Sequence, residues 1–229
     1  MRALAIRHVK IEHLGLIENY LKEKNFEIDY VDTSEGQLLK RELDEYQFIV
    51  VLGGYMGAYE DSKYPFLSYE FKIMEQALKK EIPLLGVCLG CQMLAKVLGS
   101  KVYKGENGKE IGFYDIKKVS DNKIFEGFPE IFKAFQWHGD KFDLPKDAQL
   151  IFSKYIYTNQ GFIYKNAVGL QFHIEVSQNM IKQWMQEYRD EILEEKLNPD
   201  EIIKEAEIYI PNLKTYLYDF LDRFLNERR

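Results

Sequence analysis

The sequence predicts an α/β fold: a doubly wound, largely parallel central sheet with antiparallel additions and a C-terminal helical extension. Three observations predict it. Apolar runs of strand length alternate with helical patterns as far as Leu98. From Lys101 to Phe172, short strand-like segments follow one another with turn signals between them. Beyond Ser177 the apolar residues recur only at helical spacing.

Ala3-Leu4-Ala5-Ile6 reads as a first buried strand, and Leu14 to Lys24 as an amphipathic helix with Leu14, Ile17 and Leu21 on one face. Phe26 to Val31 alternates as a second strand, and Leu38 to Leu43 reads as a short helix. Phe48-Ile49-Val50-Val51-Leu52 is continuously apolar, as expected of a parallel strand buried on both faces. Pro65 stands where a helix can begin, and Phe66 to Lys80 continues at helical spacing. Then come the strand-like segments 101–103, 111–116, 134–137, 149–152, 161–164 and 168–172, read as antiparallel additions, with Lys165-Asn166-Ala167 as a hairpin connection. Ser177 to Glu195 reads as one helix; Asn198-Pro199-Asp200 signals a break and a new start. Ile202 to Phe224 continues helically, with Pro211 as a kink or boundary. The expected division is a domain over residues 1–178 and a helical extension over 179–229 that packs on the sheet, or else forms a dimer or docking surface.

The stretch IPLLGVCLGCQMLAKVL, Ile82 to Leu98, carries the strongest chemical signal. A short apolar strand, then Gly86-x-Cys88-x-Gly90, then a helical pattern, has the order of a nucleophile elbow with cysteine as the nucleophile. Sulfur at a helix N-terminus lies near the positive end of the helix dipole, which favours the thiolate. Two blander readings stand beside it: a buried structural cysteine, and a redox pair with Cys91. Gly53-Gly54 ends the preceding central strand, where ligands of such sheets gather. Its backbone N–H groups can meet a developing oxyanion, and the N–H of Leu89 would be a second donor. An ordinary tight loop or a nucleotide-binding loop are the alternatives, but the spacing fits no phosphate-binding motif.

A cysteine nucleophile needs a base, and the base an orienting group. The chain has four histidines. His173, at a strand end and two residues from Glu175, is favoured over His138 in Gln136-Trp137-His138-Gly139-Asp140. His8 and His13 are read as surface residues. The two cysteines adjoin no histidine pair at zinc spacing, so no metal and no cofactor is expected.

The 229 residues carry a formal net charge of −6, which argues against nucleic acid or an anionic membrane as the main partner. Two cysteines without a disulfide pattern suggest a reducing compartment. The N-terminal apolar run is too short for a signal peptide or membrane helix, so the expected location is cytoplasmic.

With Gly86-x-Cys88-x-Gly90-x-Gln92, Gly53-Gly54 and Gln171-Phe172-His173-x-Glu175 in hand, the chain resembles class I glutamine amidotransferases. More narrowly it resembles the free-standing proteins similar to the glutaminase part of GMP synthase. Leu52 to Tyr59, Glu110-Ile111-Gly112, Trp137 to Pro145 and Asn159 to Phe162 add to the likeness, which spans roughly residues 1–180. The resemblance implies a flavodoxin-like sheet and a Cys-His-Glu triad of Cys88, His173 and Glu175. It implies oxyanion donors at Gly54 and Leu89, and a glutamine pocket built from Gly53, Gln92, His138, Gly139 and Asp140. Tyr55 and Ile174 depart from the family pattern by standing where many relatives have proline. The implied reaction is hydrolysis of the side-chain amide of L-glutamine, with ammonia passed to a synthetase or other acceptor enzyme in trans, GMP synthase-like or otherwise. Two other functions compete. A γ-glutamyl peptidase would use the same triad and release an amine, and a non-catalytic regulator would keep the fold without turnover.

Overall fold

The computed structural model describes residues 1–226. The strands are β1 (Arg2–Arg7), β2 (Glu27–Asp32), β3 (Phe48–Val51), β4 (Leu84–Val87), β5 (Val102–Lys104), β6 (Glu110–Lys118), β7 (Ile131–His138), β8 (Asp140–Phe142), β9 (Gln149–Ser153), β10 (Gly161–Tyr164) and β11 (Ala167–Leu170). The helices are α1 (Leu16–Glu23), α2 (Pro65–Lys79), α3 (Leu89–Val97), α4 (Gln178–Glu187), α5 (Arg189–Glu194) and α6 (Pro199–Asn226). Nine strands form one sheet in the order β2-β1-β3-β4-β11-β10-β9-β6-β7, while β5 and β8 pair as a separate ribbon. The pairings β2-β1, β1-β3, β3-β4 and β4-β11 are parallel, and the rest of the sheet is antiparallel.

Period-two alternation sends the parallel strands' side chains to both faces. Leu4, Ile6, Ile49, Val51 and Leu84 meet α2 and α3, through Leu67, Ile73, Met74 and Leu94. Ala3, Ala5, Phe48, Val50 and Leu85 point the other way, into a core shared with α1, α4 and α6. In α6 the residues Ile202, Ala206, Ile210, Leu213, Leu217, Phe220, Leu221 and Phe224 are buried. The ring of Phe220 stacks on Phe125 at 4.9 Å.

Four local expectations need correction. Residues 38–42 form no helix; 3₁₀ turns at Thr33–Glu35 and Leu43–Glu45 flank an irregular stretch. Leu38 is 62% exposed, while Leu39 and Leu43 already reach the core, so a one-turn helix adds no burial to offset its nucleation. Val102–Lys104 belongs to the ribbon with β8 and not to the main sheet. The strand before His173 ends at Leu170 and is the seam of the sheet, antiparallel to β10 and parallel to β4. The buried Asn166 fixes the hairpin against β4 by donating to the carbonyls of Ala77 and Ile82, at 3.2 and 2.6 Å. Finally, Pro211 is inside the continuous helix α6 and is no boundary. An interior proline costs about 3 kcal/mol, less than the burial of several large side chains at about 1.5–3 kcal/mol each.

Candidate active site

Cys88 is the residue between β4 and α3, and its backbone has φ +53° and ψ −106°. A non-glycine residue there costs about 1–3 kcal/mol and persists only when its surroundings impose it. They do. The N–H of Cys88 donates to Leu170 at 2.8 Å, and that of Gly90 to Leu52 at 3.2 Å. The flanking glycines follow from close approach. A Cβ on Gly90 would lie 2.0 Å from the carbonyl oxygen of Val51, and one on Gly86 would lie 2.4 Å from that of Gly90. The Gly-x-Cys-x-Gly spacing is therefore a packing requirement of the elbow.

His173 lies just past β11, where its N–H donates to Phe135 on β7 at 2.8 Å. Its side chain is buried and its Nδ1 donates to Oε1 of Glu175 at 2.7 Å. Burial works against charge on this ring, but Glu175 and the sulfur of Cys88 outweigh it and hold the pKa well above 6.5. Trp184 of α4 meets the imidazole edge-on, with ring centroids 4.9 Å apart. The expected helix over 177–195 is interrupted at Tyr188, whose hydroxyl donates to Oε1 of Glu12 at 2.7 Å.

The Gly53-Gly54 loop passes between these groups. A Cβ on Gly53 would lie 2.5 Å from Oε2 of Glu12, 3.2 Å from Cε1 of His173 and 3.7 Å from Cβ of Cys88. Behind the loop, the Gly53 carbonyl accepts from Nδ1 of His8 at 2.8 Å, and Nε2 of His8 meets Glu70 of α2 at 2.8 Å. No described peptide bond is cis, so the N–H of Gly54 points opposite to that carbonyl, away from His8. Thr33 and Ser34 brace the arrangement, their hydroxyls donating to Glu70 and to the backbone of His8. Burial opposes charge on His8, yet Glu70 and the Gly53 carbonyl raise its pKa above 6.5. His8 is therefore not the surface residue that the sequence suggests; both its side chain and that of Glu70 are fully buried. His13 is half-buried, which lowers its pKa.

The remaining predicted site residues share the same cleft: Gly54, Leu89, Gln92, His138, Gly139 and Asp140 line it together with Cys88 and His173. The amide nitrogen of Gln92 donates to Gln171 at 3.1 Å, and Gln171 in turn donates to the sulfur of Cys88 at 3.8 Å. Nδ1 of His138 donates to the Asp140 carbonyl at 3.1 Å, and its Nε2 faces Glu110 at 3.4 Å. Cys91 is fully buried; burial, with the nearby Cys88, drives its pKa well above 9.0. Both cysteines are free thiols. The sequence assigns no role to Gln171, nor to His8, Glu12, Glu70, Trp184 or Tyr188, which the fold brings to the site from more distant positions. Only Gln171 carried a local signal, two residues before His173. Among the described residues no cluster of three or more His, Cys, Asp or Glu could hold a metal ion, and no helix is long and apolar enough to cross a membrane.

A model of the glutamine amidotransferase class-I family matches residues 12–202. A glutamine amidotransferase-like protein of Acanthamoeba polyphaga mimivirus is 26% identical over 172 residues, covering 74% of this chain and 73% of its own length. A glutamine-hydrolyzing GMP synthase subunit of Pyrococcus abyssi is 30% identical over 109 residues, covering 46% of this chain and 57% of its own length. The crystal structure of a glutamine amidotransferase from Thermotoga maritima superimposes with a TM-score of 0.96 at 54% identity, covering 99% of this chain and 98% of that one.

Proposed function

The chain belongs to the class-I glutamine amidotransferase family, and from that premise we propose that it hydrolyses the side-chain amide of L-glutamine through a γ-glutamyl thioester on Cys88. The observation that carries this reading is His173, held through Nδ1 by Glu175 at 2.7 Å while its Cε1 and the Cβ of Cys88 lie 3.2 and 3.7 Å from the position a Cβ on Gly53 would take.

In the proposed reaction the Cys88 thiolate attacks the amide carbon, and a C–S bond forms. Negative charge develops on the amide oxygen, where the N–H groups of Gly54 and Leu89 receive it. His8 supports the first of these donors by fixing the Gly53-Gly54 peptide. The C–N bond then breaks, its electron pair goes to nitrogen, and the imidazolium of His173 gives nitrogen its proton. Water next attacks the thioester; His173 takes the water's proton, the C–S bond breaks, and glutamate leaves. Gln92, His138, Gly139 and Asp140, with Gly53, hold the glutamate portion. Residues 1–178 supply this chemistry, and the extension that follows closes the far wall of the cleft through Trp184 and Tyr188.

The ammonia goes to an acceptor enzyme in trans. That part of the reading draws on the relative from Pyrococcus abyssi, which is by name one component of a GMP synthase. A γ-glutamyl peptide or amide is a second substrate class, favoured by one observation: beside His173 the cleft is also lined by the aromatic rings of Trp137, Trp184 and Tyr188. The test is release of ammonia from L-glutamine against amine from γ-glutamyl amides, with Cys88→Ala as control. Turnover by Cys88→Ala equal to that of the wild type would sink the reading.

A further inference from the structure

Among the residues that line the cleft with His173, one side chain has an unusual standing, Glu12. It lies in the loop between β1 and α1, is buried to 7% exposure, and lines the cleft. Its Oε1 accepts from Tyr188, while its Oε2 accepts no hydrogen bond from the described residues. That oxygen crowds the same point beside Gly53 as Cε1 of His173 and Cβ of Cys88, at 2.5, 3.2 and 3.7 Å. It is therefore a neighbour of both reacting groups. The other carboxylate on this wall, Glu191, is already engaged, by Trp137 at 2.9 Å and by Lys109 at 3.0 Å. Trp137, Trp184 and Tyr188 line the same cleft as one aromatic cluster, with Trp184 against the ring of His173.

Resting on the thioester reading above, we propose that the part of the cleft beside Glu12 and His173 binds the departing amide nitrogen, with Oε2 of Glu12 accepting one of its N–H bonds. The chemistry calls for such an acceptor. An amide nitrogen has no basic lone pair until its carbon becomes tetrahedral, and that pair must then face the proton on His173. An acceptor on an N–H fixes the nitrogen's rotation and turns the new lone pair toward the imidazolium. The thiolate adds on one side of the carbon, and the oxyanion takes the Gly54 and Leu89 side. Nitrogen is left on the side of His173 and Glu12. The C–N bond breaks with its electron pair on nitrogen, the proton comes from His173, and the amine departs neutral past Trp184 and Tyr188. Glu12 neither gains nor loses a proton. The ligand class is thus an amide or amine with at least one N–H, whether ammonia or a small primary amine.

An ester with the same glutamyl portion has no N–H to offer, and this separates the role from simple packing. The enzyme and Glu12→Met, which keeps the side chain's length but has no oxygen to accept, are compared on L-glutamine and on L-glutamate γ-methyl ester. Loss of a hydrogen bond to a charged group predicts a fall in kcat/KM of about 10- to 100-fold on the amide, and of no more than about three-fold on the ester. By microscopic reversibility, hydroxylamine competing with water for the thioester should yield about ten-fold less hydroxamate in the variant. Ester turnover also shows that the variant is folded. Equal losses on both substrates, or no loss on the amide, would overturn the role of Glu12. A wild-type enzyme inert toward both would overturn the thioester reading, and this inference with it.

Discussion

Two buried histidine–glutamate pairs flank Gly53, and they are alike in most respects. His173 meets Glu175 at 2.7 Å and His8 meets Glu70 at 2.8 Å. In both, burial disfavours charge and neighbouring acceptors more than restore it, so both pKa values are raised. They differ in the other ring nitrogen. His8 commits it to the Gly53 carbonyl, so the ring is fixed between two acceptors. His173 commits only Nδ1, and the rest of its ring answers to a cysteine in a strained elbow. Burial, pairing and a raised pKa therefore do not mark a base. In the proposed mechanism the base is the ring whose second nitrogen is left to the cysteine and not taken by a backbone carbonyl.

The comparison can be broken most decisively by activity. His173→Asn is expected to lower glutamine turnover by about 10⁴-fold or more, as does removal of the base in comparable triads. Steady-state release of glutamate measures it. Glu175→Gln comes next, at about 10³- to 10⁴-fold, because the imidazolium loses its orienting anion. His8→Asn should cost less, about 10- to 100-fold in kcat with KM little changed, through a less well aimed Gly54 donor. If His8→Asn matched His173→Asn, the assignment of base and brace would be wrong.

Stability should not discriminate between the pairs. Removing either histidine leaves a buried carboxylate unpaired, at a cost of about 3–5 kcal/mol by urea unfolding. The pH dependence sharpens this. The folded pKa of each histidine lies above the ordinary 6.5, so its contribution is complete below that value and is lost as pH rises through the folded value. Wild-type stability should fall over that alkaline window, and less steeply in His8→Asn. The smallest expected effect belongs to His138→Asn, a few-fold change in KM from a residue that walls the cleft with Nδ1 on the Asp140 carbonyl.

What the sequence made legible is what lies close together along it. Gly86, Cys88 and Gly90 share one turn, and His173 lies two residues from Glu175, so the reactive pieces appear as short spacings. The parallel strands were legible as continuous apolar runs such as Phe48–Val51. The rest depends on contacts that no local pattern encodes. His8 and Glu70 are 62 residues apart, and Glu12 and Tyr188 are 176 apart. A buried histidine has the same local signature as an exposed one, which is why His8 read as a surface residue. Leu38 to Leu43 reads as a short helix but seats Leu39 and Leu43 on the core without one, and β5 had strand composition without a neighbour in the main sheet. In each case tertiary partners, not local propensity, decided the outcome.

The most direct measurement is acid quenching of the enzyme during turnover of L-glutamine or its γ-methyl ester, followed by peptide mass spectrometry. The account predicts one γ-glutamyl group on the peptide that carries Cys88. Turnover in Cys88→Ala, or a γ-glutamyl group found on another residue, would contradict it.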